Sequence, residues 1–165
     1  MRKIAILLLA VLLITTNMDT TAKSKETWVS DEIYAACVEI GEIYEICPEL
    51  LVAIIERESS GQQYAENGSC KGLMQVSTRW HSDRMAELGV TDIYDIYGNI
   101  LVGTDYLYEL FEKHGDLYLV LMCYNMGESR ALQLFKQGRY SKYAISISER
   151  SVELQNIVMY EERGY

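Results

Sequence analysis

Apolar residues return at helical spacing along most of the chain, and polar punctuation marks where each helix begins and ends. Ser30, followed by Asp31 and Glu32, opens a helix whose apolar positions Ile33, Cys37, Ile40 and Tyr44 share one side. Pro48 stands where a second helix starts, because the missing N–H costs nothing at that position, and this helix runs to about Ser60 before Gly61 stops it. Residues 62–71 are polar and aperiodic, which reads as a surface loop that returns Gly72 to Gln75 toward the preceding helix. A short helix is predicted over residues 78–88, then a turn region rich in Asp and Tyr, then a long amphipathic helix over 99–114 closed by Gly115. Asp116 caps the next helix, 117–124, which is apolar nearly all round and is expected to be the most buried element. Gly127 ends it. Residues 129–137, with Gly138 as the stop, and residues 141–161 complete a helical pattern in which strand signals are weak everywhere.

Composition fits a single compact domain: 165 residues, 49% hydrophobic, 24% charged, one proline and no internal repeat. The expected fold class is mainly α, with little or no β. The formal net charge of −9 and the lack of any Lys or Arg run after the leader leave no electrostatic footprint for nucleic acid. Arg2 and Lys3 precede an apolar stretch at 4–14 that is too short to span a bilayer, and a polar stretch follows. Residues 1–22 therefore read as a secretory signal peptide, with Thr20 and Ala22 at a small-residue cleavage site, residues 23–29 as a polar linker and residues 30–165 as the functional domain. A secreted, extracytoplasmic protein without a stable membrane span is expected, acting as a monomer. Cys37, Cys47, Cys70 and Cys123 contain no Cys-x-x-Cys, and with only His81 and His114 beside them they give no zinc pattern, so neither metal nor cofactor is expected. Export permits disulfides, and a bridge fixing the loop at Cys70 is expected, against the alternative of free buried thiols.

The second helix carries the clearest chemical signal. Leu51, Ile54, Ile55 and Glu58 recur on a single face, which sets a carboxylate in an apolar stripe, whereas Glu56 points elsewhere. Burial disfavours the charged form, so such a group keeps its proton to higher pH, as a general acid requires. The same spacing also fits a helix-end carboxylate that reaches water at the edge of the core.

Glu58-Ser59-Ser60, Gly72-Leu73-Met74-Gln75 and Tyr124-Asn125-Met126-Gly127 together resemble, in order and separation, the three signature motifs of the soluble-type lytic transglycosylases. The catalytic domain of that family is related to goose-type lysozyme. The resemblance covers roughly residues 47–151, and the stretch from Gly98 to Leu107 is similar to the family's helix after the substrate loop. It implies a lysozyme-like helical domain with a substrate groove, acting on the peptidoglycan glycan strand, with Glu58 as the one catalytic acid and base. Ser59, Met74, Gln75, Tyr124 and Asn125 are then implied in substrate binding. Tyr143, followed by Ala144, resembles the late motif whose tyrosine lines the cleft.

The chain departs from the family pattern in two places. Cys123 stands where alanine is usual, and the loop 62–71 lacks the common Ser-Pro-x-Gly form, so that Ser69 is taken as the substrate-contacting serine. Asp83, Asp92, Asp95 and Asp105 are the other carboxylates available for a two-carboxylate mechanism, each equally readable as a cap or a solvated charge. A hydrolytic muramidase on the same fold and a wall-binding module without activity are the competing readings. A cell-envelope secretion or conjugation machine is one setting in which such an enzyme works.

Overall fold

A computed structural model describes residues 29–162, and the expected signal peptide lies outside them. Of the expected linker only Val29 is described, and it is buried in the core. Seven helices and one small sheet make up the described residues, a mainly α architecture as the pattern predicts. Helix α1 spans Asp31–Tyr44, with the Ser30 hydroxyl accepting from the Ile33 N–H, and α2 spans Pro48–Ser59 with proline in its first turn. The remaining helices are α3 (Ser82–Glu87), α4 (Ile96–His114), α5 (Leu117–Met126), α6 (Glu128–Phe135) and α7 (Lys142–Glu162).

Asp95 and Asp116 cap α4 and α5 by accepting the Gly98 and Leu119 N–H groups at 2.7 and 3.0 Å. Helix α4 thus begins three residues before the apolar repeat suggests. Ser60, in the left-handed conformation at φ 53°, ends α2 through an N–H to the Glu56 carbonyl, one residue before the glycine expected to do so.

The expected loop is not irregular. Strands β1 (Glu66–Asn67), β2 (Cys70–Lys71) and β3 (Val76–Ser77) form an antiparallel sheet in the order β1-β2-β3, pairing Glu66 with Lys71 and Cys70 with Ser77. Strands of two residues are too short to show an alternating pattern in sequence.

Helix α2, not α5, is the most buried element. Eight of its twelve residues are buried, Glu49 through Ile55 and Ser59, against five of the ten in α5. Packing against both α1 and α7 encloses α2, whereas the last turn of α5, from Tyr124 to Met126, opens on a groove. All four cysteines are free thiols, so the expected bridge at Cys70 is absent. Cys37 and Cys123 are fully buried, which pushes their thiols up to about 12 and about 11, while Cys70 lies in β2 at the groove.

Candidate active site

Glu58 occupies the last turn of α2, where the buried stripe reaches the end of the helix. Burial drives its carboxyl above the usual carboxylate range, and the Tyr143 hydroxyl and the Arg57 charge partly oppose this. Tyr143 comes from the second residue of α7, is itself buried, and donates its hydroxyl to Glu58 Oε1 at 2.5 Å. Its own pKa is pushed far up, first by burial and then by the neighbouring Glu58 charge, so the phenol stays a donor. Glu56, two residues earlier on the opposite side, pairs with Arg150 at 2.8 Å. The last two turns of α2 therefore present one paired carboxylate and one desolvated carboxylate.

The Gly72 to Gln75 motif acts mainly through its backbone. Gly72 has φ 73°, and a Cβ there would lie 2.2 Å from Asn99 Nδ2, so only glycine fits. Asn99, 1% exposed near the start of α4, is the hub: its amide donates to the Lys71 and Ile93 carbonyls at 3.0 and 2.8 Å and accepts the Met74 N–H at 2.8 Å. The Met74 carbonyl in turn accepts the Tyr124 hydroxyl at 2.9 Å, which ties the motif to the end of α5. Met74 is fully buried against Gly103, where a Cβ would meet its sulfur at 2.6 Å. Gln75 takes the left-handed conformation at φ 48°, and its Nε2 donates to the Ala65 and Gly72 carbonyls.

The sequence-derived residues divide accordingly. Tyr143 meets Glu58 directly. Tyr124 and Gln75 line a cavity of about 460 Å³ together with exposed Asn125. Met74 packs beneath it. Ser59 is 7% exposed and donates its hydroxyl to the Ile55 carbonyl at 3.1 Å, an internal helix contact rather than a groove contact. Ser69 is exposed in the β1–β2 turn, with its hydroxyl 3.0 Å from that of Ser77.

Glu58 is not among the residues lining the cavity. Tyr124 links the two, since it lines the cavity and the Glu58 charge raises its phenol pKa, second only to burial. From Tyr124 an aromatic wall continues through Tyr106, at 5.5 Å between ring centroids, to His81, at 4.5 Å from Tyr106. Burial, with the Arg84 charge adding to it and the Glu109 charge opposing, lowers the His81 pKa and so favours the neutral imidazole. No Asp or Glu lines the cavity among the described residues. The four aspartates have other positions: Asp95 caps α4, Asp92 accepts the Tyr94 N–H, Asp105 holds Arg84 and Tyr44, and Asp83 is exposed in α3.

Sequence reasoning missed Asn99, Trp80, His81 and Tyr106. A signal existed for two of them. Asn99, Gly103 and Tyr106 follow the helical repeat on the buried side of α4, and a polar residue on such a stripe is the pattern that singled out Glu58.

Known proteins resemble this chain in sequence and in fold. The family model described as the transglycosylase SLT domain matches residues 36–147. A protein named transglycosylase from Enterobacteria phage PRD1 is 33% identical over 89 residues, which cover 53% of this chain and 32% of that protein. The solved structure of an inactive mutant of the lytic transglycosylase Slt from Pseudomonas aeruginosa, with glutamine in place of a glutamate, superposes with a TM-score of 0.57. At 22% identity, over 76% of this chain and 22% of that one, the superposition establishes the shared fold. The chain spans about a third of the phage relative's length and less of the solved structure's. Because the family model spans well over half of its length, from the first helix to the turn of α7 that carries Tyr143, this chain belongs to the transglycosylase SLT domain family.

Proposed function

We propose that this chain is a lytic transglycosylase that cleaves the bond from N-acetylmuramic acid to N-acetylglucosamine in peptidoglycan, with Glu58 as its one acid and base. The observation that carries the reading is a desolvated Glu58 held by Tyr143, beside a groove with no carboxylate among its described lining residues. A two-carboxylate glycosidase requires a second acidic group across the scissile bond, about 5 to 9.5 Å from the first.

In the proposed reaction the protonated Glu58 gives its proton to the glycosidic oxygen as the C1–O bond breaks and the muramic acid ring takes on oxocarbenium character. The C6 hydroxyl of the same sugar then attacks C1, and its proton returns to Glu58, which regenerates the acid. The products are a 1,6-anhydromuramic acid end and a free 4-hydroxyl, with no water consumed. Tyr143 holds one carboxyl oxygen in place, and the Tyr124 to Met74 bond fixes the groove floor. Residues 1–22 are proposed to direct export to the wall where the substrate lies.

Digestion of purified peptidoglycan followed by mass analysis tests the reading. Anhydro muropeptides, lighter by one water than the hydrolytic products, are expected. A dominant reducing-end product would replace it with a muramidase acting through the same glutamate.

A further inference from the structure

Between β3 and α3 the chain displays an aromatic ring that the packing does not use. Trp80 is 74% exposed, yet it lines the groove. Its position is fixed from below, because the Trp80 and His81 N–H groups both donate to the Ser77 carbonyl at 3.0 Å and the His81 ring rests on Tyr106. The exposed ring is therefore presented from a braced turn.

Arg79 lies over this ring, its guanidinium carbon 5.1 Å from the centroid. The neighbouring cations are engaged: Lys71 with Glu66, and Arg84 with Asp105 and Glu109. Arg79 has no carboxylate partner among the described residues, and its exposed guanidinium is already oriented by the stack. In a chain of net charge −9, a directed cation with no carboxylate partner among the described residues thus stands one residue from the groove lining, against the exposed ring of Trp80. Those two features match a sugar ring that carries an acidic appendage.

We propose that Arg79 and Trp80 form a subsite for a muramyl unit that still bears its peptide stem, with Trp80 stacking on the sugar ring and Arg79 pairing with a stem carboxylate. The subsite deepens the transglycosylase reading and rests on it for the identity of the substrate. It makes peptide-bearing strands better substrates than strands stripped of their stems.

The test compares wild type, Trp80→Ala and Arg79→Gln on peptide-bearing strands and on strands from which an amidase has removed the stems. Trp80→Ala is expected to raise KM roughly tenfold on both with little change in kcat. Arg79→Gln is expected to raise KM severalfold on peptide-bearing strands alone. An unchanged KM in Trp80→Ala, or equal effects of Arg79→Gln on the two substrates, overturns the proposal. Binding is read apart from turnover in a Trp28→Phe, Glu58→Gln protein, where Trp80 is the one remaining tryptophan and its emission is expected to be quenched by peptide-bearing strands. Quenching without any cleavage by wild type would remove the proposed reaction and leave the subsite standing, whereas unaltered emission would overturn the subsite.

Discussion

The Tyr143 hydroxyl donates to Glu58 Oε1 at 2.5 Å across 85 residues of sequence, joining the last turn of α2 to the first turn of α7. Burial raises the Glu58 pKa, and this bond, which favours the ionised form, pulls it back. The tyrosine therefore sets both the direction of the carboxyl group and the pH at which it gives up its proton.

Removing the hydroxyl separates those roles. In Tyr143→Phe the carboxylate loses a donor, so the Glu58 pKa rises further and the proton is retained to higher pH. The alkaline limb of the pH profile of kcat/KM is expected to move upward, while kcat at the optimum falls about tenfold from the loss of orientation. A limb that stays in place or moves downward would show that Tyr143 does not hold the acid.

Glu58→Gln keeps the size and the ability to accept from Tyr143 but cannot give up a proton. Turnover is expected to fall by about 10³ or more with glycan binding retained, measured by muropeptide release and by co-sedimentation with walls. Stability should move the other way. Because the folded-state pKa of Glu58 is raised, the folded protein holds this proton more tightly than the unfolded chain, and stability is lost as pH climbs from the unfolded value through the folded one. Glu58→Gln should thus melt above wild type near pH ~7, and the two Tm values should converge below about pH 4.

Asn99 satisfies three backbone groups at once, the Met74 N–H and the Lys71 and Ile93 carbonyls. Asn99→Ala leaves those groups buried and unpaired, at a cost of about 3 kcal/mol in chemical unfolding, and loosens Met74 and Tyr124 together. Activity is expected to fall even at temperatures where the variant stays folded.

Gly103→Ala places a methyl group 2.6 Å from the Met74 sulfur and 3.0 Å from its Cβ. Met74 is fully buried, so it cannot swing into solvent, and a loss of about 1 to 3 kcal/mol with a raised KM is expected. Unchanged thermal melting and KM would mean that the contact has slack.

Much of the helical order was legible because capping chemistry and apolar periodicity are local. Ser30, Pro48, Asp116 and Gly115 mark helix ends through interactions within three or four residues of themselves. The small sheet was not legible, since each strand is two residues long and its pairing depends on Gly72 reaching the Ala65 carbonyl. The Cys70 bridge failed for a related reason: compartment and count say that a disulfide can form, whereas only the fold decides which sulfurs meet.

For the site, the sequence by itself determined that a glutamate stands on an apolar helical face, and that three short motifs share the order of a known family. Both properties are one-dimensional. What the tertiary structure decided is the division of labour among those motifs. Met74 and Gln75 use their backbone and amide groups to brace the groove floor, Ser59 turns inward, and Tyr143 alone reaches the acid. Helix periodicity fixes which face a side chain leaves from, but the partner it meets there belongs to an element many residues away, and only the packing of α2 against α7 brings Tyr143 to Glu58.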